Sequence, residues 1–353
     1  MIKDFFSTSG ILRYGNFRDP LGLLIRMIRS DDRAAHFILF RTAITYLLAP
    51  FDFVLQPFET QRLKKSSPSS LPILLIVGVP RSGTTLLYQV LADCLPLSYF
   101  NNLSSLFPRS PISAGFLFNR YLNQKGQRFT SYYGNTAGFS APNDGFHVWN
   151  RWLGKDRYSA PEQIDHAAKG EMRRFFNAWL STFNKPFLNK NNRNTDCVSL
   201  LAETLDNTYF IECRRNPLYT AQSLIIARQQ IQGSKVIGWG LHAKNSNPGR
   251  GPLGYVDAVC DQIYEVEIKL RDDKKRIGEE RFIEVSYERF CEDPFGAVQL
   301  VSKRILGRDL DDKPLRSHLK PFESTNKMRI KRSEFDRIQS RLRELYGVKF
   351  SAE

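Results

Sequence analysis

The sequence predicts an α/β fold of three layers, a central parallel sheet with helices on both faces, preceded by an N-terminal helical extension. Three observations carry this expectation. Ile73–Val79 is an unbroken apolar run rather than an alternating one, the pattern of a strand buried on both faces. A strand, turn and helix then recur, first as Ile73–Val79 with Thr84–Leu95. The second unit is Tyr209–Cys213 with a turn at Arg214–Pro217 and a helix over Leu218–Gln230, and the third is Phe282–Val285 with a helix from about Asp293 to Ile305. Finally, 353 residues, 42% of them hydrophobic and 12% aromatic, suffice for one large core, so a single main domain is expected.

In chain order, Met1–Phe6 carry an acid and a base and lead into no long apolar core, so no cleavable secretory signal is apparent and a cytoplasmic location is expected. Phe37–Leu55 is apolar but interrupted by Arg41, Pro50 and Asp52, short of the roughly 20 residues of a spanning helix. It reads as an amphipathic helix packed on the main domain, or as a peripheral membrane contact. The polar stretch Gln61–Ser70 reads as a linker, dividing an extension (1–70) from an α/β domain (71–353). Periodicity leaves the aromatic, glycine-bearing stretch Tyr121–Gly154 unassigned, and a loop of that length is a place to grip substrate. Lys331–Leu345 reads as a charged C-terminal helix.

A net charge of +15 predicts attraction to anions. No basic repeat, zinc-finger spacing or aromatic RNA-binding signature accompanies it, so nucleic acid is not the expected partner. The five cysteines are odd in number and widely spaced, which argues for small buried hydrophobes rather than a disulfide framework. Without CxxC or HExxH, and with five scattered histidines, no metal site is expected.

The strand at Ile73–Val79 runs into Gly78-Val-Pro-Arg-Ser-Gly83-Thr84-Thr85 and then a helix. Backbone amides and a helix N-terminus in this setting cradle a phosphate. The spacing copies the nucleotide loop G-x-x-x-x-G-K-[ST], yet Thr84 stands where a nucleoside triphosphatase or kinase places lysine. A second cationic turn, Arg214-Arg215-Asn216-Pro217, also follows a strand, with Ser223 eight positions after Arg215. An arginine fork bonds phosphate oxygens bidentately and a serine adds a donor. Arg228, farther along the same helix, either points at that phosphate or lies solvated on the surface.

Pro80–Thr85 resembles the 5′-phosphosulfate loop of sulfotransferases that use 3′-phosphoadenosine 5′-phosphosulfate (PAPS), with Arg81 in place of the missing lysine. Arg215 and Ser223 are similar in spacing to that family's 3′-phosphate site, and Tyr287-Glu288 with Asp293-Pro294 resembles its late-strand landmark. The resemblance covers about Leu71 to Tyr346 and is closest to the Golgi and bacterial carbohydrate or tyrosylprotein types.

The resemblance implies a P-loop sulfotransferase fold, PAPS as co-substrate, no metal, and an acceptor hydroxyl on a carbohydrate, exopolysaccharide or glycolipid. It places Arg81, Ser82, Gly83, Thr84 and Thr85 at the 5′ end of the donor, and Arg215, Ser223 and Arg228 at the 3′ end. The cytosolic type's G-x-x-G-x-W-K pattern has no clear counterpart, which leaves Ser324, Asn326 and Lys327 as candidates to close the adenosine pocket. Lys190, ending Phe187–Lys190, is the second candidate cation beside Arg81 at the leaving oxygen. The tyrosylprotein type's glutamate is missing, since Tyr99–Leu103 holds no acid, so the base is sought in Ala141–His147. Asp144 is the first choice and His147 the second, with Asp144 alternatively capping a helix that begins near Gly145. Trp149, Trp152, Tyr132 and Tyr133 either stack on sugars or belong to the core. The competing functions are a P-loop nucleoside or sugar kinase and a non-catalytic module that binds anionic glycans or membrane surfaces.

Overall fold

The computed structural model describes residues 17–122, 129–242 and 251–350. Helices α1 (Pro20–Ile28), α2 (Arg33–Leu47) and α3 (Ala49–Lys64) come first. Asp19 and Asp32 start the first two by accepting hydrogen bonds from Gly22 N and Ala34 N. Helix α3 runs on through Lys64, so Gln61–Lys64 form its last turn and the linker shrinks to residues 65–70. No single helix among the described residues is long and apolar enough to cross a membrane.

The remaining elements are β1 (Ile73–Val77), α4 (Thr84–Cys94), β2 (Ser98–Tyr99), α5 (Pro111–Leu122), a hairpin of β3 (Ser131–Tyr132) and β4 (Asn135–Thr136), α6 (Phe146–Leu153) and α7 (His166–Phe183). Then follow β5 (Phe187–Lys190), α8 (Asn192–Asp196), α9 (Val198–Thr204), β6 (Thr208–Arg214), α10 (Pro217–Gln232), α11 (Gly254–Ile277), β7 (Phe282–Ser286), α12 (Tyr287–Glu292), α13 (Pro294–Val301), α14 (Asp312–His318) and α15 (Arg332–Tyr346). The segment expected as one helix from Asp293 to Ile305 is Pro294–Val301 followed by a π turn at Ser302–Leu306. Asp293 has left helical geometry at φ −131°, and Pro294 restarts the helix at its first turn.

Five strands form one sheet in the order β2-β5-β1-β6-β7, every pair parallel. The apolar run of β1 puts it at the centre, buried at every residue. Its side chains part by alternation: Ile73, Leu75 and Val77 enter the layer of α6, α7 and α9, while Leu74 and Ile76 enter that of α4, α12 and α13. Each such side chain contributes about 1.5–3 kcal/mol through burial. Trp149 and Trp152 lie in the first of these layers against Phe175 and Phe176, so the tryptophans are core. Helices α10, α11 and α15 share a third cluster with Val79.

The chain leaves β1 toward β2 on one side and later builds β6 and β7 on the other. The C-terminal ends of β1, β5 and β6 therefore converge on a crevice at the reversal of strand order, where open α/β sheets bind ligands. The N-terminal helices close this crevice from one side, with α2 packed on the β3–β4 hairpin and α1 on α10. Helix α3 holds α5 by its N-terminus: buried Asp52 accepts from Arg109 N and Ser110 N, and buried Glu59 from Ile112 N and Ser113 N. The carboxylates thus take up amides that have no partner inside α5 and face the positive end of its dipole.

Candidate active site

The loop after β1 is held in shape by contacts on its inner side. Thr195 Oγ1 accepts from Gly78 N at 3.0 Å and donates to Gly78 O at 3.2 Å, fixing the point where the strand ends. Arg81 lies in the left-handed region at φ 78°, a conformation that costs a non-glycine residue about 1–2 kcal/mol. Two bonds hold it there, from Arg81 Nε to Ser223 Oγ (3.2 Å) and from Arg215 Nη1 to Arg81 O (3.1 Å). Gly83, at φ 99°, is required twice over, because a Cβ there would overlap the ring of Tyr287. The amides of Gly83, Thr84 and Thr85 open α4 and line the cleft, where helical geometry supplies them no intrahelical acceptor. Ser82 departs from the expected role. Its amide closes a turn onto Val79 O at 3.1 Å, its hydroxyl is buried, and it does not line the cleft.

Arg215 stands across the cleft at the end of β6, the strand paired with β1. Its Nε and Nη2 both bond Asn326 Oδ1 (2.9 and 2.7 Å), Nη2 also reaches Thr325 Oγ1 (3.0 Å), and the guanidinium lies over the Tyr287 ring at 4.5 Å. The irregular segment before α15 thereby covers this end of the cleft and brings in Arg329. Burial lowers the pKa of Arg81 and of Arg215, and the neighbouring guanidiniums push in the same direction. Arg81, Lys190, Arg215 and Arg329 all line this cleft, and among the described residues no carboxylate does. The guanidiniums of Arg81, Arg215 and Arg329 repel one another, and an anion relieves that repulsion.

Beside this cleft, and sharing Tyr133, Gly134, Lys190, Asn192 and Trp239 with it, lies a second pocket walled by α2, the β3–β4 hairpin and the start of α6. Lys190 ends β5 on the boundary: a Cβ on Gly134 would lie 3.5 Å from its Nζ and 3.8 Å from Thr85 Oγ1. On the pocket side Lys190 Nζ pairs with Asp144 Oδ2 at 3.0 Å. Burial raises the Asp144 pKa, opposed by Lys190 and, farther off, by Arg157 and Arg41. Asp144 does not cap α6, whose first residues follow a left-handed Gly145 with no side-chain cap; Asn143 Oδ1 accepts from Gly145 N instead.

His147 lines the same pocket but is buried. Burial pushes its pKa down to about 3, with Arg151 and Arg41 adding to the shift, so its imidazole is neutral and a weak proton acceptor. A lattice of amides and hydroxyls sets Asp144 in place. Asn102 Nδ2 donates to Thr136 O and Gly138 O, its Oδ1 accepts from Asn143 Nδ2 and Arg41, and Tyr88 donates to Asn143 O. The acid-free stretch Tyr99–Leu103 thus acts as a support for the loop that carries the carboxylate.

Of the residues singled out from sequence, Arg81, Gly83, Thr84, Thr85, Arg215, Ser223 and Lys190 line one cleft, and Asp144, His147, Tyr132 and Tyr133 line the pocket joined to it. Arg228 does neither and is not solvated. It is buried between α10 and α11 and donates to Gln262 Oε1 at 2.8 Å. Lys327 points outward to Glu323 at 2.6 Å and Ser324 receives Asn326 N, whereas Asn326 anchors Arg215. Sequence reasoning missed Arg329, Trp239 and Asn192 at the first cleft, and Arg41 and Arg157 at the second. Arg41 was visible only as an interruption of an apolar stretch.

A model of the sulfotransferase family matches residues 72–312. No curated protein matches the sequence significantly. Among solved structures, sulfotransferase STF9 from Mycobacterium avium aligns with a TM-score of 0.56 at 14% identity, over 99% of this chain and 97% of that one. Sulfotransferase STF1 from Mycobacterium tuberculosis H37Rv aligns with a TM-score of 0.55 at 10% identity, over 98% and 99%. At such identities the two structures speak for the fold, and their alignment spans the N-terminal helices as well.

Proposed function

Because the chain belongs to the sulfotransferase family, we propose that it moves a sulfuryl group from PAPS to a hydroxyl of a carbohydrate, exopolysaccharide or glycolipid held in the pocket beneath α2. One observation carries the reading: a cleft lined by Arg81, Lys190, Arg215 and Arg329, with no carboxylate among the described residues that line it, adjoins a second pocket through Lys190. In this scheme the α4 amides and Arg81 hold the 5′-phosphosulfate, and Arg215, Ser223 and Arg329 hold the 3′-phosphate. Lys190 neutralises charge on the oxygen that leaves with the nucleotide. Asp144 accepts the proton of the acceptor hydroxyl as its oxygen bonds sulfur and the bond from sulfur to the leaving oxygen breaks. Lys190 pairs with Asp144 and also lines the cleft, which suits a group that tracks charge from one oxygen to the other.

The acceptor pocket supports the sugar or lipid headgroup reading by its mixed lining, with Tyr132, Tyr133 and Trp239 beside Arg41, Arg157 and Asn135. The test is to titrate adenosine 3′,5′-bisphosphate and ATP against the protein, and to offer radiolabelled PAPS with lipid and polysaccharide fractions. Tight bisphosphate binding with label entering one fraction is expected. Preference for ATP would return the kinase reading, which Thr84 disfavours, and binding without transfer to any fraction would return the non-catalytic module.

A further inference from the structure

Helices α2 and α3 turn large apolar side chains outward and polar ones inward, the latter beside buried Ala34, Ala35, Ile38 and Leu55. On α3 the face turned to the protein carries Asp52 and Glu59, 0% and 2% exposed, whereas Phe51, Phe53, Val54 and Phe58 point outward, Val54 and Phe58 at 60% and 57%. On α2 the inner side brings Arg41, Thr42 and Thr45 to the acceptor pocket, while Phe40 and Leu47 lie outside. Phe116 and Leu117 of α5, the helix that α3 holds by its N-terminus, extend the same apolar face. A helix that only packs on a water-soluble domain has the opposite arrangement, because exposing aromatic rings while burying carboxylates loses apolar burial and adds desolvation. Water is therefore not the medium this face is made for.

We propose that the outer face of α2, α3 and α5 docks into the surface of an anionic lipid bilayer. Together α2 and α3 meet the length and apolar composition of a membrane span, but they are bent by 70° at their junction. So sharp a bend suits a pair lying in the interface with its outer side immersed rather than a rod through the bilayer. Charge favours anionic lipid. Between Arg33 and Asn143 the only acids are Asp52, Glu59 and Asp93, of which the first two are buried and the third pairs with His318. Lys64 and Lys65 are exposed at the end of α3, and Arg62 lies over the Phe116 ring at 4.1 Å. Phenylalanines flanked by lysine and arginine are the pattern of a helix held at a headgroup boundary. Since the inner side of α2 walls the acceptor pocket, docking sets that pocket directly behind the lipid surface.

Flotation with vesicles of phosphatidylcholine, with and without phosphatidylglycerol, tests the proposal and needs no donor nucleotide, so its outcome is separate from that of the sulfotransferase reading. The wild-type chain is expected to float with phosphatidylglycerol vesicles. The double variant Phe51→Ser/Phe58→Ser should bind them about tenfold more weakly or worse, from the loss of two buried rings. Lys64→Glu/Lys65→Glu should lose the preference for phosphatidylglycerol. Both variants should keep the bisphosphate affinity of the wild type, since neither pair lies in the site. Wild-type protein that stays in solution with both vesicles, or phenylalanine variants that float as it does, would overturn the proposal. A wild-type dimer that Phe51→Ser/Phe58→Ser turns into a monomer would assign the face to a second copy instead.

Discussion

Removing the guanidinium of Arg215 should separate the two ends of the donor nucleotide. Its five N–H groups are largely committed: Nε–H and both Nη2 hydrogens go to Asn326 and Thr325, and one Nη1 hydrogen goes to Arg81 O. One N–H and the charge remain for a ligand. A single charge-assisted hydrogen bond is worth about 1.5–3 kcal/mol, so Arg215→Ala should weaken adenosine 3′,5′-bisphosphate by about 10- to 150-fold. Adenosine 5′-monophosphate, which lacks the 3′ group, should bind wild type and variant alike. Calorimetric titration of both nucleotides against both proteins closes a cycle whose coupling energy isolates the 3′-phosphate contact. Equal losses for the two nucleotides would mean that Arg215 merely supports Arg81 and the 325–326 turn, and no loss for either would remove it from the site. Arg215→Lys should behave like the alanine variant, because one ammonium cannot replace a fork that serves Asn326, Thr325 and Arg81 together.

Gly83→Ala should lower the melting temperature and abolish bisphosphate binding; the φ of 99° and the Tyr287 ring together cost about 2–4 kcal/mol, and a variant that folds and binds normally would contradict the geometry. Asp144→Asn should reduce kcat by about a hundredfold or more while leaving nucleotide affinity intact, and unchanged turnover would dismiss Asp144 as the base. Because burial raises the Asp144 pKa and the base works deprotonated, the wild-type rate should fall as pH drops through that raised value, and Asp144→Asn should lack this acid limb. His242 Nε2 pairs with Asp196 at 2.7 Å, which raises its pKa above the unfolded value of about 6.5. Its stabilising contribution is complete below that value and is lost as pH rises through the folded pKa. Melting curves across that window should show the loss in wild type and not in His242→Asn, and parallel curves would exclude the linkage.

The strand units were legible because their signals are local. A five-residue apolar run such as Ile73–Val77 has only one comfortable place, the middle of a covered sheet, and the two cationic turns follow strands that pair directly. Arg215 and Ser223 could be found since both follow from one turn and one helix. Arg329, Arg41 and Trp239 could not, because each reaches the site through contacts between segments far apart in the chain. Arg228 misled for the related reason that helical spacing fixes an angle but not a depth, and its side of α10 is covered by α11. The stretch Tyr121–Gly154 resisted periodicity because its order comes from side chains. Asn102, Tyr88 and Asn143 tie the hairpin and the Asp144 loop together where repeating backbone structure is sparse.

The pairing of β1 with β6 sets a distance as well as a topology. Ile76 lies opposite Ile211 and Val77 opposite Glu212, so the loops that follow these strands emerge side by side, and the bond from Arg215 to the Arg81 carbonyl bolts them together. The sheet is in effect a gauge block, with a span between its two anchor points that cannot be altered by moving one loop alone. If the proposed donor site is right, a nucleotide charged at both ends of its ribose matches such a gauge, whereas one whose phosphates run in a single chain leaves the second anchor empty. On that reading, discrimination between donors would be written in the hydrogen-bond register of two strands, and a variant that shifts that register should relax it without touching any residue of the cleft.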